Sequence, residues 1–108
     1  MATVYKVLGQ SAPSGATDTS LYTVPSATSA VVSTLSICNR GVSTTFRAAV
    51  RPAGATLADE HYIVYDNYVN AGDTVFLTLG ITLAATDVVT VRAGTADMSF
   101  SLFGSELS

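Results

Sequence analysis

The chain contains one histidine, His61, and one cysteine, Cys38, which limits the nucleophilic chemistry it could perform. A Ser-His-Asp or Cys-His arrangement needs a base beside the nucleophile and a further group that orients the base. Asp59 and Glu60 adjoin His61 in the sequence, but they do not form a triad with it. We expect His61 to be a surface or interface residue and Cys38 to be a small apolar residue at a sheet surface or subunit contact. We therefore predict that the protein is not an enzyme.

The acidic residues are concentrated in predicted turns, where an aspartate hydrogen-bonds to nearby backbone groups. The oxygen atoms of Asp66, Asn67, Asn70 and Asp73 offer an alternative, a calcium site, because this cation takes several oxygen ligands. Their spacing does not follow an EF-hand loop, and turn chemistry is favoured. No pair of carboxylates stands out as suited to glycoside hydrolysis. We predict no catalytic residue, no metal site and no cofactor.

Five tyrosines could form an aromatic platform for a sugar, and they are Tyr5, Tyr22, Tyr62, Tyr65 and Tyr68. Tyrosine is also common in sheets and at protein interfaces, because its large ring is ordered at little entropic cost. The chain has no tryptophan. Glycan binding is therefore the alternative to a purely structural role.

The segments that must position these groups have the alternation of β-strands with one buried face. Strands are predicted within 3–8, 20–24, 29–41, 44–51, 60–65, 74–79, 87–93 and 98–103. Residues 52–59 are predicted to form a loop or a single helical turn, and 80–87 a connection. Polar turns at intervals of roughly a dozen residues are typical of a two-sheet sandwich. We predict an all-β fold with one domain over residues 1–108, an antiparallel sandwich of seven or eight strands, with a jelly roll and an immunoglobulin-like topology both open.

The strand within 29–41 shows the expected division into two faces. Its odd-numbered positions, Val31, Leu35 and Ile37, are predicted to supply the core. The other face is predicted to be covered by a partner, and it carries Val32, Thr34, Ser36 and Cys38.

Composition excludes several classes of partner. Charged residues make up 12% of the chain and the formal net charge is −3, which argues against a nucleic-acid backbone as a partner. No apolar run approaches the roughly 18 residues that span a bilayer, so we expect a soluble protein with no membrane partner. The N-terminus lacks a secretory leader pattern, and the lone Cys38 fits synthesis in a reducing cytoplasm.

Apolar side chains on the predicted outward faces indicate that something covers them, and another copy of the chain is the simplest cover. Phe76, Val88 and Phe103 carry this inference. We predict a homo-oligomer whose partner-facing residues are Phe76, Val88, Tyr68 and Phe103, with Arg47 and Arg51 as polar contacts.

Four segments together resemble a group of small structural proteins and N-terminal modules of tailed bacteriophages. They are LYTVPSATSAVVSTLSICNRG, FRAAVRPAG, HYIVYD and TDVVTVRAGTADMSFSLFGSEL. In that group a strand ending in Val-Pro precedes a Ser/Thr-Ala-Val-Val strand ending in Asn, and the last strand has the form aromatic-x-Leu/Val-x-Gly-x-Glu, here Phe100 to Glu106.

The resemblance implies a virion structural protein made in the host cytoplasm. It would decorate the capsid or belong to the tail, neck or baseplate, and it would bind other virion proteins. A trimer is favoured, because capsid threefold positions and tail appendages commonly require one. The alternative is a glycan-binding module of a phage adsorption apparatus. No catalytic residue comes with the resemblance, and head and tail locations both stay open.

Overall fold

The computed structural model describes residues 2–108, which form eight β-strands and two short 3-10 turns. The bounds are β1 Thr3–Ser11, β2 Thr19–Thr23, β3 Ser29–Asn39, β4 Thr44–Arg51, η1 Pro52–Gly54, η2 Asp59–His61, β5 Tyr62–Val69, β6 Thr74–Leu83, β7 Val88–Ala93 and β8 Met98–Leu107. Within these residues, no helix has the length and apolar character required to traverse a membrane. The predicted all-β sandwich is confirmed.

The strands form two antiparallel sheets of four. Sheet A has the order β1-β8-β3-β6, and sheet B has the order β2-β7-β4-β5. The first strand thus pairs with the last, the second with the seventh, the third with the sixth and the fourth with the fifth. This nesting is the topology of a jelly roll, in which a long antiparallel ribbon is rolled into two sheets. The structure therefore selects the jelly roll over the immunoglobulin-like alternative.

The core lies between the sheets and comes from the alternating residues of both. Phe46 of sheet B meets Phe100 of sheet A edge to face, with ring centroids 6.2 Å apart. Leu35, Ile37 and Leu102 are completely buried around them. Apolar burial of this kind supplies the main favourable free energy of folding. The buried face that alternation predicts is seen in β4, β7 and β8, whose inward residues include Phe46, Val91 and Phe100.

A row of β-bulges crosses sheet A next to Phe103. Leu8 is the extra residue of β1, Ser33 that of β3, and Leu79 with Gly80 opposes Ser33 from β6. A bulge shifts the register by one residue and so reverses which side chains face the core. The reversal on β3 occurs at Ser33.

The prediction for the first half of β3 was wrong for this reason. Val31, expected in the core, is 38% exposed on the outer face, whereas Val32, expected outside, is 0% exposed. Beyond Ser33 the prediction is confirmed, since Leu35 and Ile37 are buried. Alternation alone does not reveal an inserted residue. Counting back from Ile37 in steps of two therefore assigns Val31 to the wrong face.

Several strands are longer than the sequence pattern indicated. The first half of the predicted connection over 80–87 is strand, because β6 continues to Leu83 after Gly80 adopts a positive φ of 62° at the bulge. Leu83 is buried at the end of the sandwich. Strand β5 continues through Asp66, whose φ is 51°. Residues 52–59, predicted to form a loop or a single helical turn, contain the 3-10 turn η1, an irregular stretch over 55–58 and the first residue of η2.

All four edge strands are interrupted. Sheet A ends in β1 and β6, and sheet B ends in β2 and β5. The pairing of β1 shifts between Val7 and Gly9, and that of β2 between Ser20 and Tyr22. The bulge of β6 is described above, and β5 shifts its register twice against β4. No edge in residues 2–108 is therefore a long regular strand.

Asn39 fixes one end of the sandwich from a buried position. Its side-chain Nδ2 donates to the carbonyl oxygens of Val42 at 2.8 Å and Val69 at 3.1 Å, and its Oδ1 accepts from the backbone N–H of Gly41 at 3.0 Å. A buried amide with its hydrogen bonds satisfied rigidifies the loops it joins. Here it ties the end of β3 in sheet A to β5 in sheet B.

A second polar network joins the sheets near the opposite end of β3, where Glu106 pairs with Ala30. The hydroxyl of Tyr22 in β2 donates to Oε2 of Glu106 in β8 at 2.5 Å, and Lys6 Nζ in β1 lies 3.2 Å from Oε1. The Tyr22 hydrogen bond, with a smaller effect of Lys6, holds the pKa of Glu106 below its usual value. Burial, followed by the hydrogen bond to Glu106, raises the pKa of Tyr22.

This network predicts a specific dependence of stability on pH. A carboxyl group whose pKa is lower in the folded state contributes stability above about pH 5, and the contribution is lost as the pH falls through the usual carboxyl range. We expect Tyr22→Phe to lower the free energy of unfolding by about 1.5 kcal/mol at pH 7, because a hydrogen bond to a charged group is lost, and by less at pH 3. Urea denaturation at both pH values measures this difference.

The control is Tyr5→Phe, because the Tyr5 hydroxyl makes no hydrogen bond within residues 2–108, and it should behave like the wild type at both pH values. An equal loss of stability at pH 7 and pH 3 in the Tyr22→Phe variant would contradict the role of Glu106.

A second prediction concerns Gly104, beside the bulge row. A methyl group on Gly104 would overlap the carbonyl oxygen of Val31 and crowd the Cα of Val32. Backbone atoms of a central strand cannot move aside, so Gly104→Ala should cost about 3 kcal/mol of unfolding free energy. Ser105→Ala, one residue along on the outer face, should change it by less than about 0.5 kcal/mol. Equal stability of the two variants would show that the close approach is not required.

Candidate functional site

His61 and Cys38 lie on different sheets and are not brought together. His61 ends η2 beside sheet B, and its Nδ1 accepts a hydrogen bond from the backbone N–H of Ala58 at 3.0 Å. Cys38 is half-buried on the outer face of sheet A, opposite Thr74 and Ser99. The histidine therefore closes a turn, and the cysteine is part of a sheet surface.

The turn aspartates hold backbone groups. Asp87 accepts from the N–H of Ala53 with Oδ1 and from that of Ala84 with Oδ2, both at 2.8 Å. Asp73 accepts from the N–H of Thr74 at 2.9 Å. Asp66, a member of the possible calcium set, instead binds an arginine on the sheet. In the part of the chain that the structure describes, no group of three or more His, Cys, Asp or Glu residues could hold a metal ion.

The six residues predicted to face a partner divide between the two outer faces. Phe76 and Phe103 lie on sheet A, and Arg47, Arg51, Tyr68 and Val88 lie on sheet B. Val88 points outward, as its parity indicated, but η1 covers it and leaves it 6% exposed. No partner can reach Val88 while η1 is in place. The six residues thus form two surfaces.

The four strands of sheet A place no charged residue on the outer face. Their only charged residues are Lys6 and Glu106, which pair with each other at one end of the interior side. Arg40, which follows β3, reaches one end of the outer face, where its Nε donates to Oγ of Ser99 at 3.0 Å. Tyr5 is 84% and Phe76 is 70% exposed on this face, and exposed valines at positions 7 and 31 add to it. We call this surface the A face.

The A face has a raised part and a groove. Phe76 projects from β6 near one edge of the sheet. Toward the other edge lies an open groove, which is lined by Tyr5, Lys6, Val31, Ser33, Phe103, Gly104 and Ser105. Sequence reasoning missed Tyr5 and Val31, the latter because of the bulge. Tyr5 could have been found from the alternation of β1, where it shares its parity with Val7.

The outer face of sheet B is built around Arg47. Its Nε donates to Oδ1 of Asp66 at 2.7 Å, and a terminal nitrogen donates to Oδ2 at 3.3 Å. The guanidinium carbon also lies 4.1 Å from the centre of the Tyr65 ring. Tyr65 in turn meets Tyr62 edge to face at 4.9 Å. A bidentate ion pair and a cation–π contact therefore hold one arginine in a single orientation.

A second arginine stands directly beside the first. Arg92 of β7 is the cross-strand partner of Arg47, and its guanidinium lies 3.5 Å from the carboxylate of Asp18. Two adjacent cations repel, so each is accompanied by its own carboxylate. The hydrogen bond from Arg47, with a smaller effect of Arg92, lowers the pKa of Asp66, and the bond to Asp66 raises the pKa of Arg47.

Arg51 stabilises the position of η1 on sheet B. Its Nε donates to Oγ1 of the buried Thr90 at 3.0 Å, and a terminal nitrogen donates to the carbonyl oxygens of Gly54 and Ala55. Arg51 thereby fastens η1 over sheet B. Its guanidinium is less free to meet a partner than the sequence suggested.

A small cavity opens between the two arginines, with a volume of about 180 Å³. Phe46 and Ala93 form part of its lining. The other lining residues are Ala16, Thr45, Arg47, Asp66, Arg92 and Gly94. Tyr68, the cross-strand partner of Thr45, is 60% exposed. We call this cavity and its neighbours Tyr65 and Tyr68 the B site.

No protein-family model, curated protein or solved structure matches this chain. The geometry of the two faces must therefore support any functional conclusion.

The charge arrangement of the B site predicts how Asp66 titrates. We expect its midpoint, followed through the side-chain carboxyl signal by NMR, to rise in Arg47→Gln toward the ordinary aspartate pKa of about 3.9, because the main hydrogen-bond donor is lost. Arg92→Gln should raise it by less. Arg40→Gln is the control, because Arg40 binds Ser99 in the other sheet, and it should leave the midpoint unchanged. A wild-type midpoint in Arg47→Gln would contradict the assignment.

Proposed function

We propose that this protein is a non-enzymatic virion component that assembles with copies of itself through the A face. The observation that carries the proposal is an outer sheet surface whose strands place no charged residue on it and which exposes Tyr5, Val7, Val31 and Phe76. Depletion of charge with enrichment of aromatic residues is characteristic of the centre of protein interfaces. Water-exposed faces of soluble proteins seldom have this composition over a whole sheet.

The size of the face supports assembly. The molecule measures 44 × 27 × 19 Å, and two sheets stacked about 10 Å apart account for the short dimension. A standard interface buries about 800 Å² on each partner. A sheet surface occupying much of a 44 by 27 Å side is large enough to provide that area.

The A face carries a projection and a groove that can fit each other. We propose that Phe76 of one copy enters the groove beside Tyr5 and Phe103 of another copy. Both patches lie on one face, so this contact is compatible with a mutual pair and with a closed ring. The phage resemblance supports three copies, and we propose a ring of three.

The placement on a virion rests on the resemblance together with the architecture. Jelly rolls are used by viral capsid domains and by lectins, and this is an argument by analogy, since a fold does not determine a function. The chemistry of the chain agrees with a binding role. Its histidine closes a turn, its turn aspartates hold backbone N–H groups, and its most ordered arginine is paired with Asp66.

Self-association provides the main test. In sedimentation equilibrium at micromolar concentration, we expect the wild type to have three times its monomer mass of 11.1 kDa. Phe76→Asp should weaken association at least about 100-fold, close to 2.7 kcal/mol, because it buries a charge in the centre of the contact. Tyr5→Asp should have a similar effect from the groove side.

Tyr68→Asp is the matched control, because it places the same charge on a comparably exposed aromatic position of sheet B, and it should leave the mass unchanged. Circular dichroism verifies that each variant is folded. A monomeric wild type, or a Phe76→Asp variant that associates like the wild type, would overturn the proposal. Alkylation of Cys38 gives a second measurement, since its rate should fall with rising protein concentration if the A face becomes covered.

Cryo-electron microscopy of the purified particle tests the placement on a virion. Eight-stranded sandwiches in threefold groups at regular positions on the head or tail are expected. A particle that lacks the protein would refute this placement and leave the self-association result to stand on its own.

A further inference from the structure

We propose that the B site binds a neutral sugar ring, with Asp66, Arg47 and Tyr68 as its main contacts. This site lies on sheet B, and the proposed assembly uses the A face of sheet A. The two proposals are therefore independent. The argument rests on which hydrogen-bonding atoms are adjacent, on the free aromatic surface and on the size of the cavity.

The polar atoms of the B site match those of a sugar. A hydroxyl group both donates and accepts, a carboxylate only accepts, and a guanidinium only donates. Asp66 and Arg47 place an acceptor and a donor within 2.7 Å of each other at the mouth of the cavity. Neighbouring hydroxyls of one sugar ring can donate to the first and accept from the second.

The free atoms of this pair are sufficient. Arg47 uses its Nε and one terminal nitrogen toward Asp66 and also interacts with the side chain of Tyr62. A guanidinium has five N–H groups, so these contacts do not use all of its donors. Each carboxylate oxygen of Asp66 accepts one bond from Arg47 and keeps capacity for another. The side chain of Asp66 is 45% exposed, so a ligand can reach it.

Aromatic rings flank the polar pair. Arg47 and Tyr62 hold Tyr65 in place, and Tyr68 has its ring 60% exposed on the same outer face as Thr45 of the cavity. A planar ring provides a surface for the apolar C–H groups of a pyranose, while hydrogen bonds fix its orientation. Both kinds of contact are thus available side by side.

Charge and size narrow the class of ligand. Each arginine of the site is accompanied by a carboxylate, Arg47 by Asp66 and Arg92 by Asp18, so the cluster has no excess charge with which to select an anion. The cavity of about 180 Å³ is smaller than the roughly 300–1,000 Å³ of sites for drug-sized ligands. A single neutral ring, free or at the end of a glycan, fits these limits.

The local backbone holds the site in its shape. Asp66 has a φ of 51°, a left-handed conformation that aspartate and asparagine tolerate better than most residues. It occurs at the register shift of β5 that opposes Arg47. The strand continues past Asp66, and the carboxylate is directed at the guanidinium of Arg47.

The experiment is a titration of the full chain, labelled with ¹⁵N, with the methyl α-pyranosides of glucose, galactose and mannose. N-acetylneuraminic acid serves as the acidic comparison. We expect at least one neutral glycoside to shift amide signals of β4, β5 and β7, with millimolar affinity. Asp66→Asn, which keeps the shape and tolerates the backbone conformation, and Tyr68→Ala should each weaken binding about tenfold.

Tyr5→Ala is the control, because it removes a still more exposed tyrosine ring from the A face, and it should bind like the wild type. The proposal is overturned if no neutral glycoside shifts these signals, if the shifts lie on sheet A, or if only the acidic sugar binds. It is also overturned if either Asp66→Asn or Tyr68→Ala, shown to be folded by its amide spectrum, binds like the wild type. Sedimentation of the same samples reports on the A face separately.

Discussion

The close contact between Gly104 and the main chain of β3 is the constraint on which sheet A depends. Only a residue without a side chain can lie against the Val31 carbonyl, and the neighbouring bulges at Leu8, Ser33 and Gly80 accommodate the same irregularity in the other strands. The inserted Ser33 turns Val32 into the core and Val31 outward. The backbone register set by these bulges therefore determines which side chains the A face exposes.

The two outer faces solve the problem of exposure in different ways. Sheet B covers part of its own surface, because Arg51 and Asp87 fasten η1 over Val88 and Thr90. The rest of that surface carries paired charges and tyrosines, which water solvates readily. Sheet A has no such cover, and its strands place no charged residue on its outer side. A chain that needed only to be a stable monomer would gain nothing from this asymmetry, and the proposed division into an assembly face and a ligand face accounts for it.

The fold class could be predicted from the sequence because alternation over short segments is a direct consequence of burying one side of a sheet. The buried sets of β4, β7 and β8 follow from that rule. The jelly-roll pairing could not be predicted, since it depends on contacts between the first and last strands. Bulges could not be predicted from alternation either. For this reason Val31 and Val32 were predicted on the wrong faces, and the predicted end of β6 at Leu79 was four residues too early.

The candidate sites were only partly accessible to sequence reasoning. Phe76 and Tyr68 could be identified as outward-facing aromatic residues from parity. The cover over Val88 and the task of Arg51 depend on where η1 folds back, and the pairing of Arg47 with Asp66 depends on a left-handed residue within β5. Residues 19 positions apart in sequence share that contact, so spacing offered no sign of it.

The interrupted edge strands have a consequence for aggregation of this protein at high concentration. A regular edge offers a row of unpaired N–H and C=O groups to which another strand can add, and such addition leads to fibrils. Bulges in β1, β2, β5 and β6 break that row at every border of both sheets. Strand addition at the edges is thus hindered, and it would not compete with the association proposed for the A face.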